Sequence, residues 1–141
     1  MGFSLSAATA IIGVGIVISL ELIVSTTIPT ITDVHDSYDI MRDRSIDLLQ
    51  TNINISKIET SINGSNHDIN ITVRNTGSTT LKTNKFEILI NGTCEQFYCA
   101  SSYIYPENSV IFRLYNIRGS GTRRVKVVTN NGISDYREYN I

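Results

Sequence analysis

Two histidines, two cysteines and thirteen carboxylates are what this chain of 141 residues offers for catalysis or metal binding. Their spacing assembles none of them into a working set. His35 lies in an aspartate-rich stretch and His67 reads as a loop residue beside Asp68, and neither accompanies a nucleophile in a triad order. No G-x-S-x-G occurs, and Gly119-Ser120-Gly121 lacks the Lys-Ser/Thr and following helix of a phosphate loop. Asp68 and Glu107 lack the run of oxygen ligands that calcium needs. Cys94 and Cys99 have four residues between them, which excludes C-x-x-C redox or zinc spacing. The expectation is therefore no catalytic residue, no metal and no cofactor: a protein that is not an enzyme.

The chemistry that remains is covalent modification. Cys94 and Cys99 flank a turn after Asn91-Gly92, where a small local disulfide would form in an oxidising compartment; buried thiols are the plainer alternative. Four glycosylation sequons, at Asn54, Asn63, Asn70 and Asn91, fall within forty residues, with none before them. Single sequons recur by chance in an Asn- and Thr-rich chain, but four together favour an external compartment for this part.

Gly2 to Leu20 contain no charged side chain, a length that crosses a bilayer as a helix. No Lys or Arg precedes Arg42, so the basic region of a secretory signal is missing and an uncleaved anchor over residues 1–28 is expected. The opening Met1-Gly2-Phe3-Ser4-Leu5-Ser6 also matches an N-acylation pattern, but a spanning helix leaves an acyl chain little to add. Glu21 is the one ionisable group of the apolar region. It either snorkels to the outer boundary or, if the span shifts toward Ile28, needs a polar partner from another helix.

Beyond Pro29, the residues Ile31, Val34, Tyr38, Met41, Ser45 and Leu48 follow steps of three and four, which predicts a helical stalk over 29–51. Its seam suits either a short coiled coil or packing on its own domain. Pro29 fits the first turn of a restarted helix. The stalk carries five aspartates from Asp33 to Asp47 against Arg42 and Arg44. From Leu48 onward ten Lys and Arg face seven acids. That excess is too small for a nucleic-acid surface. Arg118, Arg123, Arg124 and Lys126 cluster around one expected hairpin, where they would meet an acidic partner or simply guard a strand edge.

From Thr51 the period becomes two: Ile53 and Ile55, Ile69 to Val73, Phe86 to Ile90, Val110 to Leu114, Val125 and Val127, then Ile133. Turn formers separate these runs, with Asn131-Gly132 the strongest hairpin signal. Six to eight short strands in residues 52–141, with no helical pattern between them, predict an antiparallel immunoglobulin-like β-sandwich. The whole is mainly β with an N-terminal helix: a sandwich on a transmembrane helix and short helical stalk.

The opening Met1 to Ile12, the uncleaved helix and polar stalk, and Ile71-Thr72-Val73-Arg74-Asn75-Thr76-Gly77-Ser78-Thr79-Thr80-Leu81 together resemble archaellum (archaeal flagellum) stator protein F. The resemblance implies a single-pass protein of the cell membrane with its N-terminus cytoplasmic. Its β-domain would lie between membrane and surface layer, bind the surface-layer protein and hold the rotary motor against reaction torque. It also implies a partner, stator protein G; a homodimer is a further assembly to consider. The rival reading is an archaellin or pilin-like filament subunit, which is made with a charged leader, whereas here only Met1 and Gly2 precede the apolar helix. A third is a generic anchored adhesion domain with Tyr98, Tyr103 and Tyr105 as a sugar-stacking surface.

Overall fold

The structure, a computed structural model, describes residues 2–141, with side chains from Ser4 onward. Met1, with which the acylation pattern begins, lies outside the described residues. Helix α1 runs from Gly2 to Gln50 without a break, through Pro29. Pro29 does not break the stalk, and the helix makes no restart there. An interior proline removes one backbone N–H bond and crowds the carbonyl four residues back, at about 3 kcal/mol, and a helix of this length absorbs that locally.

This helix is long and apolar enough to cross a membrane. Its hydroxyls suit an apolar setting, because they fold back onto the helix: Thr9 donates to the Leu5 carbonyl at 3.2 Å, Ser19 to Gly15 at 2.8 Å, Thr26 to Leu22 at 2.7 Å and Thr30 to Thr26 at 2.8 Å. Chain contacts divide the protein into two compact units, residues 1–44 and Ser45–Ile141. The last helical residues thus belong with the strands, a few positions earlier than the change of sequence period at Thr51.

Ten strands follow: β1 Ile53–Asn63, β2 Asn66–Asn75, β3 Leu81–Lys82, β4 Glu87–Ile90, β5 Thr93–Glu95, β6 Tyr98–Cys99, β7 Tyr103–Ile104, β8 Ser109–Arg118, β9 Thr122–Val128 and β10 Ser134–Asn140. One antiparallel sheet has the order β1-β2-β8-β6, a second β10-β9-β4-β5, and β3 pairs with β7 in a short ribbon. Lettered along the chain, these are the A-B-E-D and G-F-C-C′ sheets of an immunoglobulin-type sandwich. The chain is mainly β with an N-terminal helix, as its alternation predicts.

Inward residues of both sheets form one core: Ile53, Ile55, Ile69, Ile71, Val73, Ile88, Ile90, Phe112, Leu114, Val125 and Val127 are all buried. Antibody domains centre on a tryptophan, which this chain lacks. Here Phe112 takes the middle, with Phe86 and Phe97 at ring-centroid distances of 5.2 and 5.0 Å. Fully burying one such ring stabilises by roughly 2 kcal/mol or more.

One open side of the sandwich is closed by side chains. Edge strands β1 and β10 meet where Ile55 N–H donates to Asp135 Oδ2 at 2.7 Å and Arg137 Nη1 donates to the Ile55 and Ser56 carbonyls at 3.0 and 2.8 Å. The β1–β2 register shifts between Ile55 and Lys57, and this bulge frees the backbone groups that the two side chains take up. Free strand edges that would otherwise template aggregation are satisfied this way.

Two local expectations change. His67 is a buried residue of β2, not a loop residue. Arg118 and Arg123 do not flank a hairpin, since β8 and β9 lie in different sheets and Gly119–Gly121 carries the chain across. Cys94 and Cys99 stand unbridged in this structure, on strands β5 and β6 of different sheets.

Candidate functional site

Two ends of the β-domain concentrate its unusual chemistry. The first is where α1 stops. Helices leave their last four carbonyls unpaired, and a buried end needs partners for them. Thr51 N–H and Thr51 Oγ1 both donate to the Asp47 carbonyl, at 3.0 and 2.7 Å. Ser78 N–H donates to the Gln50 carbonyl at 2.8 Å, and Thr76 and Gly77 N–H donate to the Asn52 carbonyl at 2.9 and 3.0 Å. From the other sheet, Asn131 Nδ2 in the β9–β10 hairpin reaches Thr51 Oγ1 at 2.7 Å.

Gly77 is required by this closeness. A Cβ there would stand 2.3 Å from the Gln50 carbonyl oxygen and 2.5 Å from Asn52 N, both backbone atoms with no freedom to swing away. Asn75, fully buried, holds the turn from inside. Its Nδ2 donates to the Thr79 and Ile104 carbonyls at 2.7 and 3.2 Å, and its Oδ1 accepts from Gly77 N–H at 3.0 Å. All the polar capacity a buried asparagine can use is thereby met. The Asn75-Thr76-Gly77 turn on which the sequence resemblance partly rests is thus the lock between helix end and strands.

The second concentration lies at the opposite end. The register places Asn63 against Asn66 and Asn66 against Arg118, while Asn91 N–H donates to the Arg124 carbonyl at 2.9 Å. The β1–β2 tip, the β4–β5 tip and the β8–β9 crossing therefore share one end. A cleft there is lined by Asn91, Thr93, Glu95, Asn116, Arg118 and Arg123.

Four basic residues were expected to act together, and the structure separates their roles. Arg118 is exposed at the end of β8. Arg123 is half-buried with its guanidinium over Gly119, and it is the backbone at φ +104° that makes the crossing need glycine there. Among the described residues neither arginine forms an ion pair. Arg124, by contrast, bonds Glu138 at 2.9 Å and lies 5.3 Å over the Tyr136 ring. Lys126 is exposed on the outer face of β9, opposite Tyr136 and Leu89.

Beneath the cleft His67 and Tyr139 form the inter-sheet polar contact that sequence reasoning missed. Burial, then the positive charge of Arg123, lower the His67 pKa, against smaller opposite effects of the Gly119 backbone and Asp68. Burial pushes the Tyr139 phenol up to about 12. His67 continues the inward alternation Ile69-Ile71-Val73, two residues before Ile69. The alternation was thus the signal that could have found it; the register shift here puts its extra residue on β8, between Leu114 and Ile117.

The remaining sites are exposed. Asn54 and Asn70 stand on strands, Asn63 and Asn91 at turns. Glu21 and the seam residues Ile31, Val34, Tyr38 and Met41 are exposed on α1. Tyr98 and Tyr103 line a groove with Lys82, Asn84, Ser101 and Ser102, and Tyr103 stacks on Tyr105 at 6.5 Å. Among the described residues no group of three or more His, Cys, Asp or Glu could hold a metal.

No protein-family model matches the chain, and no curated protein matches it significantly. Solved structures to which it is similar include the archaellum periplasmic stator protein FlaG from Sulfolobus acidocaldarius, with 19% identity and a TM-score of 0.49 over 63% of this chain and 99% of that one. The periplasmic stator complex of FlaF and FlaG from the same organism is similar at 18% identity and a TM-score of 0.45, over 62% of this chain and 87% of that one. The fold assignment above rests on strand order and register, not on these structures.

Proposed function

We propose that this chain is a membrane-anchored stator component of the archaellum motor. In this reading residues 1–28 of α1 span the cell membrane with the N-terminus cytoplasmic, and the β-domain lies outside and binds the surface-layer protein. The observation that carries the proposal is mechanical: α1 is unbroken from Gly2 to Gln50, and its end is held by Ser78 N–H on the Gln50 carbonyl, by Thr51 on the Asp47 carbonyl and, through the Thr51 hydroxyl, by Asn131 of the β9–β10 hairpin. A part that resists torque needs such a joint rather than a flexible linker. The sequence resemblance to stator protein F, which draws on the same Asn75–Ser78 turn as well as on the opening Met1 to Ile12, also supports the reading.

A stator acts by holding, and the surface offers docking groups for that in the basic cleft and the tyrosine groove. Stator protein G is the natural partner under this reading. The exposed seam of Ile31, Val34 and Tyr38 would suit another helix, in a homodimer or with that partner. Full-length protein in detergent should capture isolated surface-layer protein. Cells that keep residues 1–50 but lack Thr51–Ile141 should insert the anchor and fail to rotate. Rotation in such cells would overturn the proposal.

One observation favours a second reading, an anchored adhesion domain. Tyr98 and Tyr103 face a groove with Asn84, Ser101 and Ser102, a combination of stacking faces and hydrogen-bonding groups that suits a sugar ring. Titration with neutral oligosaccharides, followed by tyrosine fluorescence, would favour it if binding saturates and the deletion strain still swims.

A further inference from the structure

The four sequons look alike in sequence, but the fold divides them into two pairs. Asn63 and Asn91 each open a tight turn, Asn63-Gly64-Ser65 and Asn91-Gly92-Thr93. Gly64 has φ +66°, and Asn91 and Gly92 have φ +48° and +88°. In the second turn both central residues have positive φ and Ile90 pairs with Thr93, a two-residue type I′ hairpin. Both asparagines are exposed and at chain reversals, the setting an acceptor asparagine needs.

Asn54 and Asn70 are exposed too, but they sit inside strands. Asn70 is on β2, a central strand, with Glu59 opposite on one side and Arg113 on the other. The two sequon hydroxyl residues are also tied together there, since Ser56 Oγ donates to the Thr72 carbonyl at 3.1 Å. Bending either segment into a transferase site would tear ladder bonds from inside the core sheet, whereas Asn63 is the last ladder position of β1 and Asn91 lies in the turn between Ile90 and Thr93, its Oδ1 accepting from Arg124 N–H at 2.9 Å and its Nδ2 left for the glycan.

We infer that N-linked oligosaccharide is carried at Asn63 and Asn91 and not at Asn54 and Asn70. The transfer joins Asn Nδ2 to the anomeric carbon of a lipid-phosphate-linked oligosaccharide. That C–N bond forms as the anomeric C–O bond breaks, the amide gives up one proton, and the lipid phosphate leaves. The inference rests on the external placement proposed above. Both glycans then stand at the end of the domain opposite the Gly77 lock, on either side of the cleft lined by Arg118 and Arg123, and they limit which partners enter it.

The test is glycopeptide mass spectrometry on full-length protein extracted from native membranes. Glycan mass on the peptides bearing Asn63 and Asn91, with Asn54 and Asn70 unmodified, is the expected result. Asn63→Gln and Asn91→Gln should each remove one glycan mass. A glycan at Asn54 or Asn70, or a bare Asn63 or Asn91, overturns the inference. A membrane-impermeant amine reagent on intact spheroplasts separates this from failure of the placement. Labelled Lys57, Lys82 and Lys85 with bare tips overturn the glycan assignment alone, while lysines labelled only after lysis overturn the placement on which it stands.

Discussion

His67 Nε2 on β2 and Tyr139 Oη on β10 lie 3.3 Å apart, a polar contact inside the sandwich that ties one sheet to the other. Their rings are 6.0 Å apart, and His67 Nδ1 has no hydrogen-bond partner among the described residues. Both groups are held in their neutral forms by burial. This fixes how stability should depend on pH.

A histidine whose pKa is lowered by folding binds protons more readily when unfolded. Stability is therefore complete above the unfolded pKa of about 6.5 and falls as pH drops below it, toward the lowered folded value. The phenol behaves in mirror image: its folded pKa of about 12 exceeds the unfolded value of about 10, so stability falls between those limits as pH rises. Thermal melts of the full chain in detergent should be flat between about pH 7 and 10 and decline on both sides. His67→Gln should abolish the acid decline, and Tyr139→Phe should remove the alkaline decline attributable to this phenol. An acid decline unchanged in His67→Gln would show that other groups control it.

The helix lock should be the domain's most sensitive backbone position. Gly77→Ala places a methyl against two backbone atoms, so Gln50 or Asn52 must move, at a cost of roughly 1 to 3 kcal/mol. Asn75→Ala strands the Thr79 and Ile104 carbonyls and the Gly77 N–H, for about 3 kcal/mol. Amide exchange supplies the readout: in Gly77→Ala the Ser78 amide should lose protection while amides of β9 keep theirs. Uniform loss of protection would mean that the turn stabilises the whole fold rather than the joint.

The fold was legible because its strands are half-buried: Ile69-Ile71-Val73 and Val125-Val127 alternate cleanly, and the two sheets follow from that period. Registers and sheet membership were not, because they depend on pairing across the chain. Arg118 and Arg123 look like two arms of one hairpin in sequence, yet the glycines between them bridge two sheets. His67 keeps step with Ile69-Ile71-Val73, but a histidine beside the Asn63-Gly64-Ser65 turn formers reads as a loop residue. Pro29 was compatible with a helical stalk, but that the proline would sit inside one continuous helix and not in the first turn of a second was not legible. The sequence marked Asn75-Thr76-Gly77 as a turn, but its grip on Gln50 appears only in three dimensions.

The thiols give a direct chemical test. With Cys94 exposed on β5 and Cys99 partly buried on β6, the native protein should titrate two free thiols, Cys94 reacting first. Replacing both by Ser should change stability by no more than about 1 kcal/mol, because no cross-link constrains the unfolded chain. Zero free thiols in protein purified without reductant would restore the bridge.

The last prediction concerns which arginine meets an acidic partner. Arg124 is engaged by Glu138 and Tyr136, and Arg123 shapes the Gly119 crossing, so reversing either disturbs the protein itself. Arg118 is exposed, lines the cleft and forms no ion pair among the described residues. Arg118→Glu should thus leave melting unchanged and weaken capture of surface-layer protein several-fold at low salt, with the difference shrinking toward 0.5 M salt as charges are screened. Lys126→Glu, on the outer face of β9, asks whether that sheet shares the contact. If Arg118→Glu binds as wild type at every salt concentration while Tyr103→Ala does not, the interface belongs to the groove of Tyr98 and Tyr103, and the basic cleft is a solvated end of the sandwich.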